Sequence, residues 1–314
     1  MSRRVIQSQR LILALSILVV LTSPALADDC QGVETERQAI EALITQGDLK
    51  QAKKQAKALT DRADGCAAAH MALASVYRAR LNDAGGLKAL SAARTYRRAL
   101  ADALAIEPDN LDARTDEIGF LINAPSIAGG SRDKAALRIA ELRSLDPVRA
   151  AQMQVMAAKA EGDTDVIMAA LSDVLALTPQ DHAVRSEYVR RLILADKTDK
   201  ARTLLDQWPE PDMPDDWLVM ERLYLQAAAR VYAVDDLAAA ERMLTEYIAR
   251  RPSLDEKRLS PVAHAYALLG SARLEQGDVE GADPAFQQAL SGDPDNERAL
   301  AGLARIAGEA DPTP

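Results

Sequence analysis

The chain has 314 residues, 60 of them Ala, with 48% hydrophobic and 27% charged residues but only 2 Phe, 2 Trp and 7 Tyr. That apolar content supports a folded core and excludes a wholly disordered chain, while 15 Gly and 14 Pro are too few for collagen. The formal charge of −9 excludes a nucleic-acid or anionic-lipid binder working through a basic block, and the dominance of Ala over strand-favouring residues predicts an all-α protein.

Residues 1–27 read as a signal peptide. Arg3, Arg4 and Arg10 give a positive start, an apolar run over 11–21 is interrupted only by Ser16, and Pro24 precedes the small-x-small site Ala25-Leu26-Ala27. The run is shorter than the roughly 20 residues of a membrane span, so cleavage after Ala27 is favoured over an uncleaved anchor. Polar Gln7-Ser8-Gln9-Arg10 argues for ordinary secretion over twin-arginine export, and Asp28-Asp29 argues against lipidation of Cys30. Cleavage removes three Arg and no acid, taking the charge from −9 to −12. The expected location is periplasmic or secreted, with no stable membrane insertion after the signal is removed and no nucleic-acid partner.

Two helical segments follow, about 33–46 and 49–62, joined by Gly47-Asp48. Packed antiparallel, they bring Cys30 beside Cys66, and an oxidising compartment closes the pair. A metal site on Cys66 and His70 is the weaker alternative, because two ligands do not make a site.

Self-similarity then runs to the end of the chain. In residues 263–296, Tyr266, Leu269 and Gly270 precede a Gly277-Asp278 turn, followed by Ala282, Phe286, Ala289 and Pro294. This order and spacing resemble the tetratricopeptide repeat, with Tyr266 in place of the usual Trp and Arg273 in place of Tyr. Weaker copies lie upstream, marked by Gly47, Ala52 and Leu59; by Ala74, Tyr77, Leu100, Ala103 and Pro108; and by Ala135, Ile139, Leu142 and Pro147. Three more are marked by Gly162, Ile167, Leu171 and Pro179; by Tyr188, Leu192, Ala201 and Leu205; and by Tyr224, Ala228, Ala240, Leu244 and Pro252. The resemblance covers nearly all of residues 28–314 and implies an all-α fold, a right-handed α-solenoid of helix-turn-helix repeats. The Pro-rich stretch 207–216 is expected to connect an array over 28–206 to further repeats over 217–307, with 308–314 a disordered tail.

Chemistry is sparse. The three His are scattered, and no HExxH, CxxC, GxGxxG, P-loop or GxSxG pattern occurs, so no cofactor or metal is expected. Ser131 and Lys134 match an S-x-x-K pattern whose usual companion motifs are missing, and no Glu-Ser pair of the kind used by helical lytic transglycosylases exists. The reading is a non-catalytic envelope scaffold that binds a protein or peptide. Its groove is expected on the first helix of each pair, through Met71, Arg78, Asp116, Phe120, Met156, Arg190, Leu225, Tyr232, His264 and Ser271. A strip formed by Arg78 and Arg190, with Arg149 and Arg222, is expected to attract acidic segments. The carboxylate clamp of chaperone-adaptor repeats is absent, since His264, Ala267 and Ser271 stand at its positions. Two alternatives are an enzyme or small-molecule binder with its site near residues 123–134, where Gly129-Gly130 precedes a helix that starts near Arg132, and a structural subunit of an envelope assembly.

Overall fold

A computed structural model describes Cys30 and residues 32–83, 85–208, 216–251 and 259–310. Residues 1–27, expected to be a signal peptide, therefore lie outside the described residues, as do most of the expected Pro-rich connector and residues 311–314. The described residues form fifteen α-helices and no strand. In chain order these are α1 (Val33–Thr45), α2 (Leu49–Arg62), α3 (Ala67–Asp83), α4 (Gly86–Ile106), α5 (Leu111–Asn123), α6 (Arg132–Arg143), α7 (Pro147–Glu161) and α8 (Thr164–Leu177). The remainder are α9 (His182–Leu194), α10 (Thr198–Asp206), α11 (Asp216–Ala233), α12 (Leu237–Arg250), α13 (Val262–Glu275), α14 (Val279–Gly292) and α15 (Glu297–Ala310). In chain order the helices fall into seven successive pairs, α1/α2 to α13/α14, followed by α15. In the first unit α1/α2 and α3/α4 pack together; in the second α7/α8, α9/α10, α11/α12 and α13/α14 do so, and α15 packs on the last pair. This is the all-α solenoid class expected from the sequence.

Two kinds of turn alternate, and each has a local cause. Inside a pair, Gly47, Gly162 and Gly277 adopt φ of 82°, 83° and 83°, a left-handed conformation that Gly enters without a Cβ clash. The Asp that follows caps the next helix: Asp48 Oδ1 accepts from Gln51 N–H at 3.0 Å and Asp278 Oδ1 from Gly281 N–H at 2.9 Å. Between pairs, Pro108, Pro179 and Pro294 stand just past a helix end, where Pro cannot continue it. Two residues on, Asn110, Asp181 and Asn296 cap the next helix by accepting from Ala113, Val184 and Ala299 at 2.9, 3.0 and 3.1 Å. Each cap is worth about 1 kcal/mol.

The chain divides into two compact units, residues 1–117 and 118–314. In the first, α1 and α2 pack on α3, which pairs with α4. Its core joins Val33, Ile40, Ala52, Ala56, Leu59 and Val76. Cys30 and Cys66 are bonded, with Cα atoms 5.6 Å apart, holding the start of α1 against the start of α3. The metal alternative falls with that bond. His70 instead sits within 2.7 Å of the Asp64 carbonyl through Nε2.

In the second unit one core runs from Ala151 to Ala285, shared by helices on both sides of the Trp208–Trp217 stretch. Trp208 is buried there; its indole N–H donates to His182 Nδ1 at 2.9 Å, and the two rings stack. At the far end Phe286 of α14 is fully buried between Gly270 of α13 and Gly302 of α15, where an added Cβ would lie 2.6 Å and 2.2 Å from its ring. The last helix continues past Gly308 to Ala310.

Candidate functional site

All ten residues assigned to the groove lie on first helices: Met71 and Arg78 on α3, Asp116 and Phe120 on α5, and Met156 on α7. Arg190 follows on α9, Leu225 and Tyr232 on α11, and His264 and Ser271 on α13. Within the first unit Arg78 donates to Asp116 Oδ1 at 2.7 Å, and the Tyr96 hydroxyl to the Asp116 carbonyl at 3.5 Å. Met71 is half-buried on the same helix as Arg78. Burial pushes the Asp116 carboxyl up, and the Arg78 charge opposes the shift.

In the second unit Phe120 is buried, and Met156 Sδ accepts from the Asn123 amide at 3.7 Å. Arg190, Leu225, Tyr232 and His264 converge on a cleft of about 400 Å³. Its walls come from α9, α11, α13 and the start of α15, the last element contributing Glu297 and Arg298. Ile193, Leu194, Ala228, Ala267 and Leu268 make the lining largely apolar. Tyr232, Glu297 and Arg298 also line a neighbouring cleft of about 620 Å³ that includes Ser271. Five of the ten residues thus line two clefts that share three side chains, while Phe120 and Met156 line neither.

The base of the first cleft rests on a buried polar network. Glu221 is 1% exposed; its Oε1 accepts from Ser186 Oγ at 2.6 Å and from Arg190 Nη2 at 2.5 Å. Arg190 Nη1 donates to Ser260 Oγ at 2.6 Å, and the Tyr247 hydroxyl to the Ser260 carbonyl at 2.5 Å. Burial pushes the Tyr224 and Tyr247 phenols up. Arg298 stands 4.3 Å from the centre of the Tyr232 ring and donates to Ser271 Oγ at 3.4 Å.

Three of the four arginines of the expected basic strip have acidic partners. Arg78, Arg149 and Arg190 face Asp116, Asp146 and Glu221 at 2.7, 3.4 and 2.5 Å, so their charge is matched within the protein. Sequence reasoning missed Glu221 and Arg298. An acid directly after the apolar run Leu218-Val219-Met220 was a readable signal for the first; nothing local marked the second, whose partner Tyr232 lies on α11.

The segment near residues 123–134 does not form an anion cradle. Amides of Gly129, Gly130 and Ser131 donate to the carbonyls of Ser126, Pro125 and Leu121. Ser131 Oγ caps α6 by accepting from Lys134 N–H at 3.4 Å. Gly130 is required because a Cβ there would lie 1.7 Å from the Ala124 carbonyl oxygen.

No family model matches the chain, and no curated protein matches it. Among solved structures, the C-terminal part of a TPR repeat-containing protein from Cytophaga hutchinsonii aligns with a TM-score of 0.57 at 14% identity, covering 85% of this chain and 99% of that one. PilF of Pseudomonas aeruginosa aligns with a TM-score of 0.52 at 15% identity, covering 88% and 99%. The likeness is one of fold: the chain has the tetratricopeptide-repeat fold.

Proposed function

We propose that this chain is a non-catalytic scaffold of the bacterial envelope that binds a protein segment in the cleft formed by α9, α11, α13 and α15. The observation that carries the reading is the convergence of first-helix side chains from three successive pairs on one apolar cleft. Repeat stacks offer partners that kind of surface, and aromatic and Arg side chains on it favour protein contacts. The signal-like leader and the Cys30–Cys66 bond support an oxidising compartment. No helix among the described residues is long and apolar enough to cross a membrane.

Leu194 lines the cleft and is 66% exposed, which suits a test. Partners captured from an envelope extract by residues 28–314 are expected to be lost with Leu194→Ser. The melting transition should hold, because exposed substitutions change stability by about 0.5 kcal/mol or less. Undiminished capture by Leu194→Ser would place binding elsewhere.

A further inference from the structure

The charges around the cleft differ in how they are satisfied. Of the two guanidinium groups that line it, Arg190 is paired to buried Glu221, and Arg298 lies over Tyr232 with a hydrogen bond to Ser271. Asp293 faces His264 at 3.5 Å and accepts from the Asn296 amide at 3.2 Å. Asp295 and Glu297 are exposed where α15 begins and pair with no cation among the described residues. An apolar floor bounded by two unmatched carboxylates repels an acidic segment and attracts a basic one.

We infer that the cleft takes a segment of a protein partner in which a large apolar side chain stands beside a Lys or Arg. The apolar group fills the space over Ile193, Leu225 and Leu268, and the cation meets Asp295 and Glu297. This rests on the cleft being the binding surface and reverses the preference for acidic segments that the arginines alone suggest.

Two fluorescent nine-residue peptides test it on the full chain from residue 28. One carries a central Leu flanked by Lys in a Gly/Ser background; the other replaces each Lys with Glu. The Lys peptide should bind about tenfold tighter or more, and weaken as salt rises from about 50 to about 300 mM. Asp295→Asn with Glu297→Gln should reduce the preference to about threefold or less. If the Glu peptide binds as well or better and Leu194→Ser removes it, the cleft stands and the charge preference is overturned. Binding of the Lys peptide that survives Leu194→Ser, or no binding of either peptide, overturns both.

Discussion

Arg190 lines the cleft, yet it also neutralises a carboxylate that is 1% exposed. Removing one member of such a pair leaves an uncompensated charge in a low-dielectric setting. Arg190→Ala should therefore destabilise the second unit by about 2–3 kcal/mol, discounted from a fully buried pair because the arginine is itself partly exposed. Urea unfolding should show this loss, and Glu221→Leu on the same background should restore much of it; an unchanged midpoint in Arg190→Ala would refute the network. Asp116 gives a pH signature in the other unit. Its folded pKa is raised above 3.8, first by burial and against the pull of Arg78. The folded state then holds the proton more tightly, so this group's contribution to stability falls as pH rises from about 3.8 through the folded value. A carboxyl-carbon NMR titration should place Asp116 above 3.8, and a lower midpoint would contradict the assignment. The helix and the face of Arg190 were readable from local spacing. Its ion pair was not, because Glu221 lies on a different helix and only packing brings the two together.

Helices were the most legible elements, for reasons that are chemical and local. A positive-φ Gly followed by a capping Asp occupies two adjacent positions, and a terminal Pro acts on its own turn. Thus the expected segments 33–46 and 49–62 became Val33–Thr45 and Leu49–Arg62, and the helix expected near Arg132 begins there. Where the Gly is missing, the backbone conformation persists: Val234 takes φ of 51° between α11 and α12. A β-branched residue is strained there, and its side chain is largely exposed. Val234→Gly should raise stability by about 0.5–1 kcal/mol even after the added entropy of Gly in the unfolded chain, measurable as a higher denaturation midpoint. The opposite holds for Gly270, whose added methyl would collide with the fully buried Phe286 ring. Gly270→Ala should cost about 1–3 kcal/mol, and a neutral result would show that the ring has room to move.

At the scale of the whole molecule, the two compact units carry different constraints. Only the first holds the Cys30–Cys66 bond, which closes a separation of 36 residues and contributes about 3–4 kcal/mol on the chain-entropy model. Cys30→Ser with Cys66→Ser should lower the unfolding transition of the first unit and leave that of the second in place, as read by hydrogen exchange across both. Equal loss of protection in both units would mean that they unfold as one. The fold class could be read from repetition, since the same turn, small residue and Pro recur along the chain. The cleft could not, because its walls come from four helices separated by whole repeats and its rim from the turn into a single closing helix.

The cysteine pair has a consequence for how the protein matures. Both cysteines lie within the first 66 residues, so a chain delivered amino-terminus first presents them together while most of its length is still to come. With 2 Cys in the sequence there is a single intramolecular pairing. Closing the bond then takes one two-electron oxidation of the two thiols and no reshuffling of disulfides, and it constrains the first unit alone.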